Sequence, residues 1–255
     1  MISSSRWRVV KSYKGGFVSV YLVKREVAGE TQTGYFKYAS PATQEKHLGP
    51  LIANELLGYR FGCLLDLPMA QTEIATVRGR LGVVSVQGEG NGLRTWADVA
   101  KDVRKEIERR LVEPERLLKT FVFDTWICNI DRSGKNIIVY EKDNGVLDYY
   151  LIDHELALLG ALRFENKTYD AHHWDNIRRY TRGYHPALLP YATDYQRLQP
   201  FVEEIQSLDV STIRAVLDDC PTQVWTRKDR VLVEKLLVRR QRKLGKIVKR
   251  CVEER

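Results

Sequence analysis

Hydrophobic and polar residues alternate with a period of two up to about residue 88 and recur with a period near four over much of the remaining chain. The first pattern belongs to strands, the second to helices. Arg6 to Tyr13 alternates and carries the β-formers Trp7, Val9 and Val10; Lys14-Gly15-Gly16 interrupts it, and Phe17 to Val23 resumes, which predicts a hairpin with a glycine turn. After Ala28-Gly29-Glu30 the run Gly34-Tyr35-Phe36-Lys37-Tyr38 predicts a third strand with a lysine set among apolar residues. Such a lysine is costly unless it is paired or bound to an anion. Leu51 to Gly62 predicts a helix, with Pro50 in its first turn and Gly62 as its C-terminal cap. Glu55 lies one turn after Leu51, on the side turned to the core. Pro68 to Val77 and Leu81 to Val86 read as two further strands joined by Arg78-Gly79-Arg80. The glycine-rich stretch Gln87 to Gly92 then reads as a flexible joint between a part spanning 1–88 and a part spanning 89–255.

Beyond the joint, Val99, Val103, Ile107 and Leu111 predict an amphipathic helix starting at Asp98. Glu113-Pro114 starts a second helix that turns Leu117, Leu118, Phe121, Val122, Thr125 and Trp126 inward. Ile137-Ile138-Val139 and Tyr149 to Ile152 flank a turn at Asp143-Asn144-Gly145 and predict a hairpin. Residues 163–199 mix Tyr, His, Arg and Pro with little periodicity. Phe201 to Leu217 reads as helical, Pro221 starts another turn, and Val233, Leu237, Arg240, Leu244, Ile247, Val248 and Cys251 trace a helical stripe interrupted by Arg240.

Composition narrows the class. With 255 residues, 44% of them hydrophobic, the chain is long enough for a substantial core arranged as one large domain or two lobes. There is no apolar run of the roughly 18 residues that a membrane span needs, and Met1 to Trp7 lacks the apolar centre of a signal peptide, so a cytoplasmic protein without a transmembrane segment is expected. Cys63, Cys128, Cys220 and Cys251 are scattered and read as free thiols rather than disulfides or zinc ligands. His172 and His173, adjacent on a helix, would diverge by about 100° and do not read as a metal pair. Net charge is +8, and residues 227–255, with 12 Lys and Arg against 4 Asp and Glu, carry all of it. A basic helix with a solvated outer face is expected, and contact with an anionic lipid surface or nucleic acid is the other reading of it.

Candidate chemistry sits between the second helix and the hairpin. Asp131 and Asn136 lie five positions apart on a loop that enters a strand, and Asp153 ends the partner strand. Pairing the two strands brings Asn136 and Asp153 to one rim with Asp131 beside them: one carboxylate free to accept a proton and two oxygen ligands suited to Mg²⁺. A D-x-x-x-x-N loop followed by a strand-terminal Asp is the pattern of kinase catalytic loops. Here Asn129-Ile130-Asp131 stands in place of His-Arg-Asp, and Asp153-His154-Glu155 in place of Asp-Phe-Gly. The string Asn129 to Asn136 instead resembles the HipA-like kinases, whose loop runs N-x-D-R-x-x-K-N and whose metal-binding Asp lies in an I-D-H or Y-D segment; phosphoinositide kinases carry a related D-R-x-x-x-N loop.

The resemblance implies an α+β, two-lobed, protein-kinase-like fold, with a small antiparallel β N-lobe over 1–88 and a mainly helical C-lobe over 89–255. It implies ATP between the lobes, Lys37 on the nucleotide phosphates and Glu55 holding Lys37. In such a fold the Gly15-Gly16 turn would cover the phosphates, although no G-x-G-x-x-G is present, and the backbone of Ser85, Val86 and Gln87 would face the adenine. Asn136 and Asp153 would bind Mg²⁺, and Asp131 would orient and deprotonate an acceptor hydroxyl on a Ser or Thr of a protein substrate. Arg132 and Lys135 would meet substrate phosphate, hold the metal-binding Asp, or sit as solvated loop cations. HipA toxins carry an additional N-terminal subdomain, for which there is no room before Arg6, so a stand-alone kinase core is expected. A lipid or small-molecule kinase and a non-catalytic nucleotide-binding interaction protein are the competing readings.

Overall fold

The computed structural model describes residues 6–13, 18–88, 90–99, 106, 109–142, 145–165 and 187–253. Strands β1 (Arg8–Tyr13), β2 (Ser19–Val27), β3 (Glu30–Tyr38), β4 (Thr72–Val77) and β5 (Arg80–Val86) form one antiparallel sheet in the order β1-β2-β3-β5-β4. Two of its hairpins close on two-residue turns. Ala28 and Gly29 have φ of 52° and 88°, and Arg78 and Gly79 of 52° and 73°, the left-handed pair whose twist matches that of the flanking strands. The Gly15-Gly16 turn lies outside the described residues.

Strand alternation divides the sheet into two faces. Trp7, Val23, Phe36, Val77, Val84 and Val86 form a small core of their own, closed by Glu73, which accepts from Trp7 Nε1 at 2.7 Å and from Arg25 Nη1 at 2.6 Å. Val18 and Val83 join the main core instead, together with helix α1 (Leu51–Leu64). That helix buries nearly its whole circumference from Leu51 to Gly58, which is why it shows no polar stripe. It runs on past Gly62, the expected cap. Gly62 is a packing glycine: a Cβ there would lie 2.4 Å from Met69 Sδ.

The second part opens on β6 (Asn91–Thr95), which starts inside the glycine-rich stretch and pairs with β7 (Ile137–Glu141); β7 pairs in turn with β8 (Leu147–Leu151). The expected helix from Asp98 to Leu111 falls largely on residues outside those described. Helix α2 (Glu115–Trp126) is buried from Thr120 to Trp126. The segment Pro68–Ala70 runs beside β8, with Leu151 N donating to Pro68 O at 2.7 Å and Ala70 N to Leu151 O at 3.0 Å, and this ties the first sheet to the second.

Helices α3 (Leu159–Phe164), α4 (Tyr195–Gln206), α5 (Val210–Asp218) and α6 (Arg227–Glu253) complete the second part. The sequence pattern predicts one helix over 201–217; the structure breaks it after Gln206. Gln241 of α6 stabilises the break, its Nε2 donating to Ile205 O at 3.0 Å and Leu208 O at 2.6 Å. The stripe from Val233 to Cys251 is buried, Arg240 included. Arg240 is 0% exposed and donates through Nε to Trp126 O at 2.8 Å and through Nη2 to Thr125 O, while Trp126 Nε1 donates back to Leu237 O at 3.1 Å. It caps the C-terminus of α2, where carbonyls lack intrahelical donors and the helix dipole favours a cation. Arg240→Ala is therefore expected to lower stability by roughly 2–4 kcal/mol in urea denaturation, combining orphaned carbonyls with a cavity. A loss below about 1 kcal/mol would show that α2 does not need the cap.

Candidate active site

The fold brings Lys37, Glu55 and Asp153 into contact. Lys37 Nζ lies 2.7 Å from Glu55 Oε1, 2.7 Å from Asp153 Oδ1 and 3.5 Å from Glu155 Oε2. Strand β3 places the lysine on the inner sheet face, α1 brings Glu55, and the chain leaving β8 brings the other two carboxylates. At 9% exposure the lysine meets the condition its apolar surroundings impose, since it is paired. Burial alone would lower its pKa, but Asp153, Glu55 and Glu155 reverse the effect and hold it well above the ordinary lysine value. Burial likewise pushes Asp153 upward, and Lys37 outweighs it, so that carboxyl stays below its usual range and ionised. Glu155, buried beside Asp153 and farther from the cation, is pushed up to about 8.

The catalytic-type loop leaves α2 and returns to the same place. Cys128 turns the chain at φ 57°, and Asn129 clamps the turn, with Nδ2 on Asp124 Oδ1 at 2.8 Å and Oδ1 accepting from Asp131 N at 3.1 Å. Asp131 is half-buried. Burial, then the nearby Asp153 charge, raise its carboxyl above the ordinary value, which is the direction a proton acceptor working near neutrality needs. Asn136 Nδ2 donates to Asp131 O at 2.6 Å, leaving its side-chain oxygen as an acceptor, and Ile152 N donates to Asn136 O at 3.2 Å, so Asn136 and Asp153 flank one backbone hydrogen bond. An amide oxygen and a carboxylate are hard oxygen donors of the kind Mg²⁺ takes, and Lys37 engages Asp153 through Oδ1. Glu55, Asp153 and Glu155 also bring carboxylate oxygens within 4.8 Å of one another, a second oxygen cluster that the Lys37 ammonium neutralises.

The two loop cations behave differently. Lys135 is exposed, a solvated cation. Arg132 is fully buried, not solvated, and pairs with Asp124 through Nε to Oδ2 at 2.8 Å. Sequence reasoning left Asp124 aside and named Asn129, His154 and Glu155 only as motif positions, without a role. Asp124 had a signal: a carboxylate in the run Phe121 to Trp126, all of it buried, requires a partner. His154 is pushed down to about 3, first by burial and then by Arg132, and is neutral.

The remaining expected residues lie at the end of β5. Ser85 stands opposite Tyr35 in the β3–β5 pair, while Val86 N donates to Gln71 O at 2.8 Å and Gln87 N to Thr33 O at 2.9 Å. The N–H groups of Val86 and Gln87 are thus engaged within the protein. Val86 and Gln87 line a cavity of about 600 Å³ with Thr33, Gln71, Tyr140 and Tyr150.

No family model matches the chain, and no curated protein matches it. Solved structures do. The proinflammatory kinase CtkA of Helicobacter pylori superposes with a TM-score of 0.64 at 13% identity, over 99% of this chain and 98% of that one. The toxin HipA of Shewanella oneidensis, solved with HipB and operator DNA, superposes with a TM-score of 0.55 at 13% identity, over 94% of this chain and 67% of that one. The fold of this chain, an antiparallel five-stranded sheet with one long helix followed by a three-stranded sheet and a mainly helical part, is shared with CtkA and HipA.

Proposed function

We propose that the protein is an ATP- and Mg²⁺-dependent kinase that transfers the γ-phosphate to a hydroxyl acceptor, a Ser or Thr of a protein substrate. The observation that carries this reading is the meeting of Lys37, Glu55 and Asp153 at 2.7 Å, beside the loop that presents Asp131 and Asn136. A purely structural ion pair has no need of a half-buried carboxylate with a raised pKa next to it. Phosphoryl transfer is mainly a matter of positioning and charge. Lys37, oriented by Glu55, would meet the nucleotide phosphates in place of its Asp153 contact; Asp131 would orient the acceptor hydroxyl and take its proton; the base would lie along 85–87. Asn136 and Asp153 would hold Mg²⁺, which when bound neutralises charge on the phosphates.

The outer face of α6 carries the cationic excess and would meet an anionic surface, lipid or nucleic acid. No described helix is long and apolar enough to cross a membrane, and a cytoplasmic location accords with the proposed use of ATP.

The test is incubation with γ-labelled ATP and Mg²⁺, alone and with cell lysate, beside Asp131→Ala. Label on protein, reduced about 10³-fold or more in the variant, is expected. Label extracting into lipid would make this a lipid kinase, and ATP binding without transfer to any acceptor would make it a nucleotide-binding module.

A further inference from the structure

We propose that Arg132 is a positioning residue that sets the metal-binding pair Asn136 and Asp153 against Asp131, and that it acts through a buried chain, Asp124–Arg132–His154, ending on Glu55. The inference rests on the kinase reading for what is positioned, but the contacts stand without it. Of the three roles that the sequence leaves to this arginine, gripping substrate phosphate, holding the metal-binding Asp or lying solvated, the geometry points to the second. A guanidinium has five N–H donors, and all of them are used inside the protein. Nε and Nη2 donate to Asp124 Oδ2 and Oδ1 at 2.8 and 3.1 Å, Nη1 donates to Asn136 O and Ile152 O at 2.9 and 2.8 Å, and Nη2 also donates to His154 Nε2 at 2.8 Å. With the side chain 0% exposed, no donor remains for a substrate.

Those acceptors are the positions that matter for the site. The Nη1 fork clasps the carbonyl of Asn136 and the carbonyl just before Asp153. Asp153 itself sits at φ 64°, a left-handed conformation that a non-glycine residue keeps only when its neighbours impose it. Both of its flanking peptide groups are tied down: Ile152 O by Arg132, and His154 N by Glu55 Oε2 at 2.9 Å. The direction of the Asp153 carboxylate is therefore dictated from two sides.

His154 closes the chain. Its Nε2 accepts from Arg132, which puts the ring proton on Nδ1, and its side chain lies against Gly58 of α1, where a Cβ would come within 2.5 Å of His154 Cβ. Helix α1 thus touches the loop through Glu55 and Gly58 together. A lysine at 132 offers only three donors from one point and cannot reproduce the fork.

The test compares the full-length protein with Arg132→Lys and Gly58→Ala. Mn²⁺ binding is measured by electron paramagnetic resonance in the presence of a non-hydrolysable ATP analogue, and γ-phosphate transfer is measured against Mg²⁺ concentration. Arg132→Lys is expected to bind the metal-free analogue within about twofold of the original, to weaken Mn²⁺ about tenfold, and to lower kcat about a hundredfold. Gly58→Ala, pressing on His154 from α1, shifts the same readouts in the same direction, and it carries the test should Arg132→Lys not fold. Unchanged Mn²⁺ affinity in a folded variant overturns the proposal, as does a loss of rate that tracks thermal stability alone. If the original protein transfers no phosphate, the kinase reading fails while the Mn²⁺ comparison still decides the role of Arg132.

Discussion

Lys37→Met is expected to cost the metal-free protein roughly 3–5 kcal/mol of stability at pH 8 and much less at pH 5, because it leaves Glu55, Asp153 and Glu155 facing one another without a cation. The sign is set by which pKa values move. Lys37 is raised, so its own stabilising contribution is complete at every pH below the ordinary lysine range and does not vary between pH 5 and 8. Glu155 is already raised, to about 8, by burial and then by Asp153; its contribution is present at low pH and lost as pH rises toward 8. Removing the ammonium pushes all three carboxyls up, so the variant loses stability more steeply with rising pH than the original does. Urea midpoints at pH 5, 6.5 and 8 measure this. Equal penalties at the two extremes would mean that the carboxylates are not what Lys37 neutralises. The same substitution should reduce phosphate transfer by about 10²–10³-fold if Lys37 faces the nucleotide phosphates as proposed.

The sequence made the two ends of this arrangement visible and hid what joins them. Lys37 in an apolar strand, Glu55 one turn into an apolar helix and the Asp131–Asn136–Asp153 spacing are local signals, each readable within a few residues. The hairpins were legible for the same reason: two-residue turns at Ala28-Gly29 and Arg78-Gly79 depend on their own φ values. The Asp124–Arg132–His154 chain was not legible. It joins a helix to a loop to a post-strand segment, and whether an arginine in such a loop points to solvent or inward is decided by burial, which spacing does not report. Arg240 shows the same blindness, reading as a flaw in an apolar stripe until the end of α2 stands opposite it. The break between α4 and α5 escaped because the Gln241 amide that stabilises it lies on a distant helix.

Asp124→Leu is expected to be among the most damaging single substitutions, costing roughly 3–5 kcal/mol, because it strands the Arg132 guanidinium in a site where both partners are 0% exposed. A buried pair is not itself a large source of stability, since the desolvation of both charges offsets most of their attraction. The double variant Asp124→Leu/Arg132→Met should therefore be more stable than Asp124→Leu alone, which requires a coupling in the double-mutant cycle larger than the loss that Arg132→Met causes by itself. Additive losses, within about 0.5 kcal/mol, would show that the two side chains do not act as a pair. Recovered stability is not expected to bring recovered chemistry. Methionine has no donors for the carbonyls of Asn136 and Ile152, so the backbone around Asp153 is free to leave its left-handed conformation. A double variant that folds nearly as well as the original yet transfers phosphate about a hundredfold more slowly would separate the two roles of the pair. What the charges contribute is the direction of the Asp153 carboxylate, and the fold tolerates their loss only when both go together.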